Sequence, residues 1–375
     1  MNNNYKLDSD KFLNLNTTQC LYGIAVLMMV FHHLFCIPSR LGYEYIPLLG
    51  ENLWYVETKL AWFCRICVGI YAFISGYGLN EQMKNNQIST MSFTENLVLA
   101  YIRIFRHLVK FMKKYWITFA VFVPLGFCFF NLKFYITEFF QNLFGLSYSY
   151  NGEWWYVKQY ILMLAIFPFI HSLVLYWKKG KTEKIIFMLI GSIIGISLFT
   201  LYKYDIQLLK TWYYKVHMDY IIIFCIGCIV SEYYIFEKAN QIMERYLQKK
   251  MCPVFLFIFA VIVRIVITPS ASWSKGDIIL VPIFIYSFTL LSKRFTYMQT
   301  KMLSLFGKYS VYIWLVHTFF AYYYFQNIIL IPRYSLLIYV WLFLLSFGVA
   351  IILDKLSVYI DNCIKNIDKI IKATN

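Results

Sequence analysis

The sequence predicts an all-α polytopic membrane protein of about ten transmembrane helices with both termini in the cytoplasm. Three observations lead there. Of the 375 residues, 60% are hydrophobic and 14% charged, with a mean hydropathy of +0.58, whereas a soluble domain carries about 25% charged residues. The apolar residues fall into ten runs, and at about 20 residues per crossing they fill roughly ten helices. Finally, Lys and Arg, which collect on the cytoplasmic side, divide 24 to 8 between alternate loops when the amino terminus is placed inside.

The elements follow in order. Residues 1–14 are polar, with Asn2, Asn3, Asn4, Lys6, Asp8, Asp10 and Lys11, and lack the pattern of a cleavable signal, so they read as a cytoplasmic amino terminus. The apolar runs are approximately 16–37, 60–79, 115–131, 154–176, 185–201, 217–235, 252–268, 278–292, 309–331 and 335–358. A single transmembrane domain over 15–358 and a cytoplasmic tail over 359–375 complete the expected organisation. Segment 133–146, with Phe139, Phe140, Leu143 and Phe144, is too short to span and reads as interfacial or re-entrant. The net charge of +16 is accounted for by basic inner loops facing anionic lipids, which leaves no need for a nucleic-acid partner. Cys64 with Cys67 and Cys225 with Cys228 are Cys-x-x-Cys spacings, but neither has a second pair or histidines at zinc-ligand distance. No metal site is expected.

Ionisable groups inside a bilayer are costly and point to function. His32 and His33 are adjacent near the outer end of the first run. Arg65, in Trp62-Phe63-Cys64-Arg65, lies at about the depth of His33, either as a snorkelling interface residue or as a fixed cation for a ligand. Glu153, in Gly152-Glu153-Trp154-Trp155-Tyr156, falls in the same layer, beside two Trp that an aromatic belt would also explain. His317 is mid-membrane; Arg264 is less interpretable. Ser75, Gly76 and Gly78 permit close approach of backbone or ligand. Arg103, Arg106, Lys110 and Lys114 share one helical face, suited to lipid headgroups or to a multiply phosphorylated cofactor.

Four ordered segments carry a resemblance: Gly23-Ile24-Ala25 with His33; Ile70-Tyr71-Ala72-Phe73-Ile74-Ser75-Gly76-Tyr77; Gly152-Glu153-Trp154-Trp155-Tyr156; and Gly307-Lys308-Tyr309-Ser310 with Tyr312 and His317. Together they resemble the acyltransferase 3 family of bacterial integral-membrane O-acyltransferases, over about residues 15–330. The resemblance implies transfer of an acyl group, usually acetyl from acetyl-CoA, to a hydroxyl of a cell-surface glycan or lipid-linked saccharide in the bacterial cytoplasmic membrane. It also implies donor-binding roles for Ser75, Gly76 and the basic segment, and for the position eleven residues before His33. That position holds Tyr22 where the family has a basic residue. Eleven residues leave Tyr22 and His33 on one helical face about 16 Å apart, so geometry survives and the charge does not.

The resulting expectation is that His33 acts as general base, because imidazole titrates near neutrality. Glu153 orients the imidazole or the acceptor, and Arg65 stabilises the developing oxyanion. His32, one helical step away, faces elsewhere. Trp154, Trp155 and His317 are further candidates. The donor's nucleotide would stay at the basic inner face while its arm threads between helices. A non-enzymatic carrier or flippase for lipid-linked glycans is the alternative that a polar layer among aromatic helices also allows.

Overall fold

A computed structural model of the chain describes residues 11–42, 45–84, 93–179, 217–246, 252–267 and 276–374. Its described elements are helices, apart from one isolated bridge between Ile46 and Tyr334. Helix α1 (Leu15–Phe35) starts at Asn14, whose side chain accepts from the Thr17 N–H at 2.9 Å and so satisfies a free donor of the first turn. Helices α2 (Trp54–Cys64) and α3 (Ile66–Lys84) form one apolar stretch interrupted at Arg65. The interruption leaves carbonyls without helical partners. Arg264 donates to those of Trp62, at 2.9 Å, and Phe63, and its guanidinium is held against Asp277 by two bonds of 2.7 and 2.9 Å. The uninterpreted intramembrane arginine is therefore a cap on a broken helix, with its charge paired.

Helix α4 (Phe93–Phe129) carries the basic segment at its start. The short α5 (Ile136–Leu143) then folds back along it. Phe134 meets Phe127, Phe139 meets Phe119, and the Leu143 carbonyl accepts from Trp116 Nε1 at 2.9 Å, so the chain descends beside α4 instead of crossing. Helix α6 (Trp155–Lys179) follows. Next come α7 (Met218–Tyr233) and α8 (Ile235–Tyr246), bent by 65° at Tyr234, whose backbone is left-handed (φ 53°). The set is completed by α9 (Cys252–Ile267), α10 (Asp277–Ser292), α11 (Tyr297–Thr318), α12 (Gln326–Leu330) and α13 (Ser335–Thr374). A π-turn over Phe319–Tyr323 prolongs α11. The expected tail over 359–375 continues α13 as helix to Thr374, tied to α4 by Lys113 on Asp361 and on the Ser357 carbonyl.

Among the described residues, three helical stretches are long and apolar enough to cross a membrane: Leu15–Phe35, Trp54–Lys84 and Ser335–Asn366. The bent pair α7–α8 makes a fourth if taken as one span, and Pro253–Val266 and Asp277–Ser292 are shorter apolar helices. The protein is an all-α membrane protein. The run at 185–201 lies outside the described residues.

Two helix pairs joined through glycines set the core. Helix α1 packs most closely on α11, where a Cβ at Gly23 would lie 2.1 Å from the Leu303 carbonyl oxygen and one at Gly307 1.9 Å from that of Gln19. Helices α3 and α7 are joined likewise, Gly76 against Phe224 and Gly227 against Phe73. Such approaches replace the hydrophobic drive that lipid does not supply between helices.

Candidate active site

The close contact of α1 with α11 leaves a channel along one side of α1, walled by α3, α4, α6 and α11, with a volume of about 460 Å³. On α1 its lining extends from Leu15 to His33, eighteen residues or about 27 Å of helix rise. The cavity is therefore elongated along α1. At one end stand Lys110 and Lys114 of α4, Lys308 of α11, and Thr18 and Gln19 of α1; at the other stand His33, Glu153 and Trp155. Nine residues of α11 separate Lys308 from His317, about 14 Å.

Midway, Tyr22 stacks on Tyr71 with centroids 5.4 Å apart. The hydroxyls of Tyr22 and Tyr160 both approach that of Ser75, and Tyr160 is bonded at 2.9 Å to Nε2 of His107. The channel therefore has a polar girdle at Tyr22.

At the far end the His33 ring sits 5.0 Å from that of His317, and its Nδ1 lies 3.6 Å from Glu153 Oε2, with no hydrogen bond made. His317 Nδ1 donates to the Trp314 carbonyl at 2.8 Å, which leaves its buried Nε2 without a partner. Two imidazoles with unpartnered ring nitrogens meeting a carboxylate is an expensive arrangement for a core, and it suits a site that accepts and returns a proton. Glu153 is carried on a 3-10 turn, Gly152–Trp154, capped by Asn151. The fully buried Asn151 accepts from the Glu153 N–H at 3.1 Å and exchanges bonds of 2.8 and 3.0 Å with the Thr318 hydroxyl. On its other side Glu153 Oε1 is 3.3 Å from Arg40, whose guanidinium lies over the Tyr322 ring.

The structure brings together around one channel His33, Glu153, Trp155, Tyr22, Ser75, Lys110 and Lys114, with His317 touching His33. It sets others apart. His32 points to α2 and is bonded at 2.7 Å to the Ala61 carbonyl. Arg65 is half-buried at the α2–α3 break beside Tyr220, off the channel wall. Gly76 packs against α7, Arg103 contacts Met83, and Arg106 is exposed. Trp154 is sealed in the core, donating to the Leu315 carbonyl at 3.0 Å. Arg40, His107, Asn151 and Lys308 were not singled out from the sequence as site residues. Of these, Asn151 carried a signal, as a turn-capping type just before Gly152 and Glu153.

Fold and site define a helical membrane protein with a buried imidazole–carboxylate centre at the end of a channel that opens among lysines. The chain belongs to the acyltransferase 3 family, whose acyltransferase-domain model matches residues 19–355, and it is accordingly a membrane acyltransferase. No curated protein and no solved structure matches it significantly.

Proposed function

We propose that this protein takes an acetyl group from acetyl-CoA on the cytoplasmic side of a bacterial cell membrane and passes it to a hydroxyl of a cell-surface glycan or lipid-linked saccharide, on a ten-span fold with both termini inside. The observation that supports this best is the channel with Lys110, Lys114 and Lys308 at one end and His33 with Glu153 at the other. Ammonium groups hold phosphates as point charges; the elongated cavity beyond them suits the donor's extended thioester arm.

His33 takes the proton of the acceptor hydroxyl as the oxygen attacks the acetyl carbonyl carbon. The carbon–sulfur bond then breaks, and the departing thiolate receives the proton from the imidazolium, giving an O-acetyl ester and free coenzyme A. Glu153 steadies the charged ring, its 3.6 Å contact closing to a hydrogen bond as the charge develops. Tyr22 and Ser75 line the path of the arm.

The test is acetyl transfer from labelled acetyl-CoA in purified membranes. His33→Ala abolishes transfer at normal protein level, and neutralising Lys110, Lys114 and Lys308 together raises the donor KM with a weakened salt dependence. Unchanged transfer by His33→Ala removes the imidazole from the mechanism, and no turnover by the wild type revives the carrier alternative.

A further inference from the structure

Beyond Glu153 lies a second cavity, an outer vestibule of about 450 Å³ lined by Arg40, Gly152, Glu153, Trp155, Tyr322 and Tyr323. It shares Glu153 and Trp155 with the channel, so a molecule seated in it reaches the carboxylate that touches His33. The volume is that of a small-molecule site. We propose that this vestibule is the acceptor subsite and that it takes an uncharged pyranose ring, an inference that rests on the acyltransferase reading above.

Four features select that ligand. Trp155, Tyr322 and Tyr323 line the cavity with aromatic side chains, the kind of surface on which the C–H face of a sugar ring packs. Tyr323 already accepts the Gly152 N–H at 2.9 Å, so its own O–H proton is free to be donated. Arg40 offers further donors and Glu153 acceptors for ring hydroxyls. Most decisively, Arg40 and Glu153 neutralise each other at 3.3 Å. The vestibule thus offers an anion no net attraction, and a phosphate or carboxylate on the acceptor would meet Glu153 at the cost of that pair. The frame is fixed: Gln326 Nε2 donates to the Arg40 carbonyl at 2.6 Å, and the two tyrosines are set by the π-turn after α11, an element often found at functional sites.

The experiment offers the purified full-length protein labelled acetyl-CoA together with methyl glycosides of glucose, galactose, mannose, rhamnose and N-acetylglucosamine, with glucose 6-phosphate and glycerol as contrasts. At least one neutral glycoside is acetylated in preference to both contrasts. Arg40→Gln and Tyr323→Phe raise its KM roughly threefold to tenfold, the worth of one lost hydrogen bond, and Tyr323→Leu raises it further. The donor KM does not move, and stabilisation of each variant by acetyl-CoA against heat shows that it is folded. Preference for the sugar phosphate, donor hydrolysis without any acetylated glycoside, or vestibule variants with unchanged glycoside KM would each overturn the assignment. A wild type that neither transfers nor hydrolyses acetyl-CoA would instead overturn the acyltransferase chemistry beneath it.

Discussion

Glu153 serves two partners at once, His33 on the channel side and Arg40 on the vestibule side, and its placing depends on the Asn151 turn. Replacing Glu153 by Gln keeps the shape and removes the charge that steadies a protonated His33. The expected result is a fall of about a hundredfold in kcat with the donor KM unchanged, read from initial rates of acetyl transfer. Asn151→Ala removes a cap worth about 1 kcal/mol and strands the Thr318 hydroxyl, a loss of about 1–3 kcal/mol. Both a lower melting temperature in detergent and a lower kcat are expected, and a variant as stable and active as the parent would refute the positioning role. Depth along a helix can be read from a sequence, which is why His33 and Glu153 could be put in one layer. Direction around the bundle cannot, and Arg65 and Arg40 differ in that respect: Arg65 turns toward Tyr220 and Arg40 toward Glu153.

Among the elements, the glycines of α3 give a paired test. Gly76 lies against the Phe224 carbonyl, where a Cβ would stand 2.1 Å away, whereas a Cβ at Gly78 meets nothing within 4 Å. Gly76→Ala is therefore expected to force α3 and α7 apart and lower stability by about 1–3 kcal/mol, and Gly78→Ala to leave the melting temperature in place. A larger loss follows Arg264→Met, which leaves Asp277 charged and buried without its partner and the α2–α3 break without its cap, at about 3–5 kcal/mol. Arg264→Met combined with Asp277→Leu recovers part of that loss if the unpaired carboxylate is its main source. Hydropathy marked apolar segments that the described helices contain, because burial in lipid and burial in a bundle demand the same apolar side chains, though the run 115–131 covers only the later part of α4. It could not reveal the break at Arg65, since the carbonyls that Arg264 caps belong to a segment distant in sequence. It set α5 apart by length alone, and the fold-back along α4 rests on contacts such as Trp116 with Leu143.

At the scale of the whole molecule, the basic excess that the sequence reading assigned to one membrane face is partly gathered around the mouth of a channel, Lys110 and Lys114 from α4 meeting Lys308 from α11. Helical spacing groups Arg103 and Arg106 with Lys110 and Lys114; the structure leaves both arginines outside the channel wall, because the wall of α4 begins at His107. In the proposed reaction the donor and the acceptor meet at His33 from opposite faces of the membrane. Oriented proteoliposomes test this most directly, with labelled acetyl-CoA supplied only at the face bearing Lys110, Lys114 and Lys308 and the best glycoside acceptor sealed on the other side. Acetylated glycoside in the acceptor compartment, absent with His33→Ala, is the predicted result. Acetyl transfer only when donor and acceptor share a compartment would contradict it.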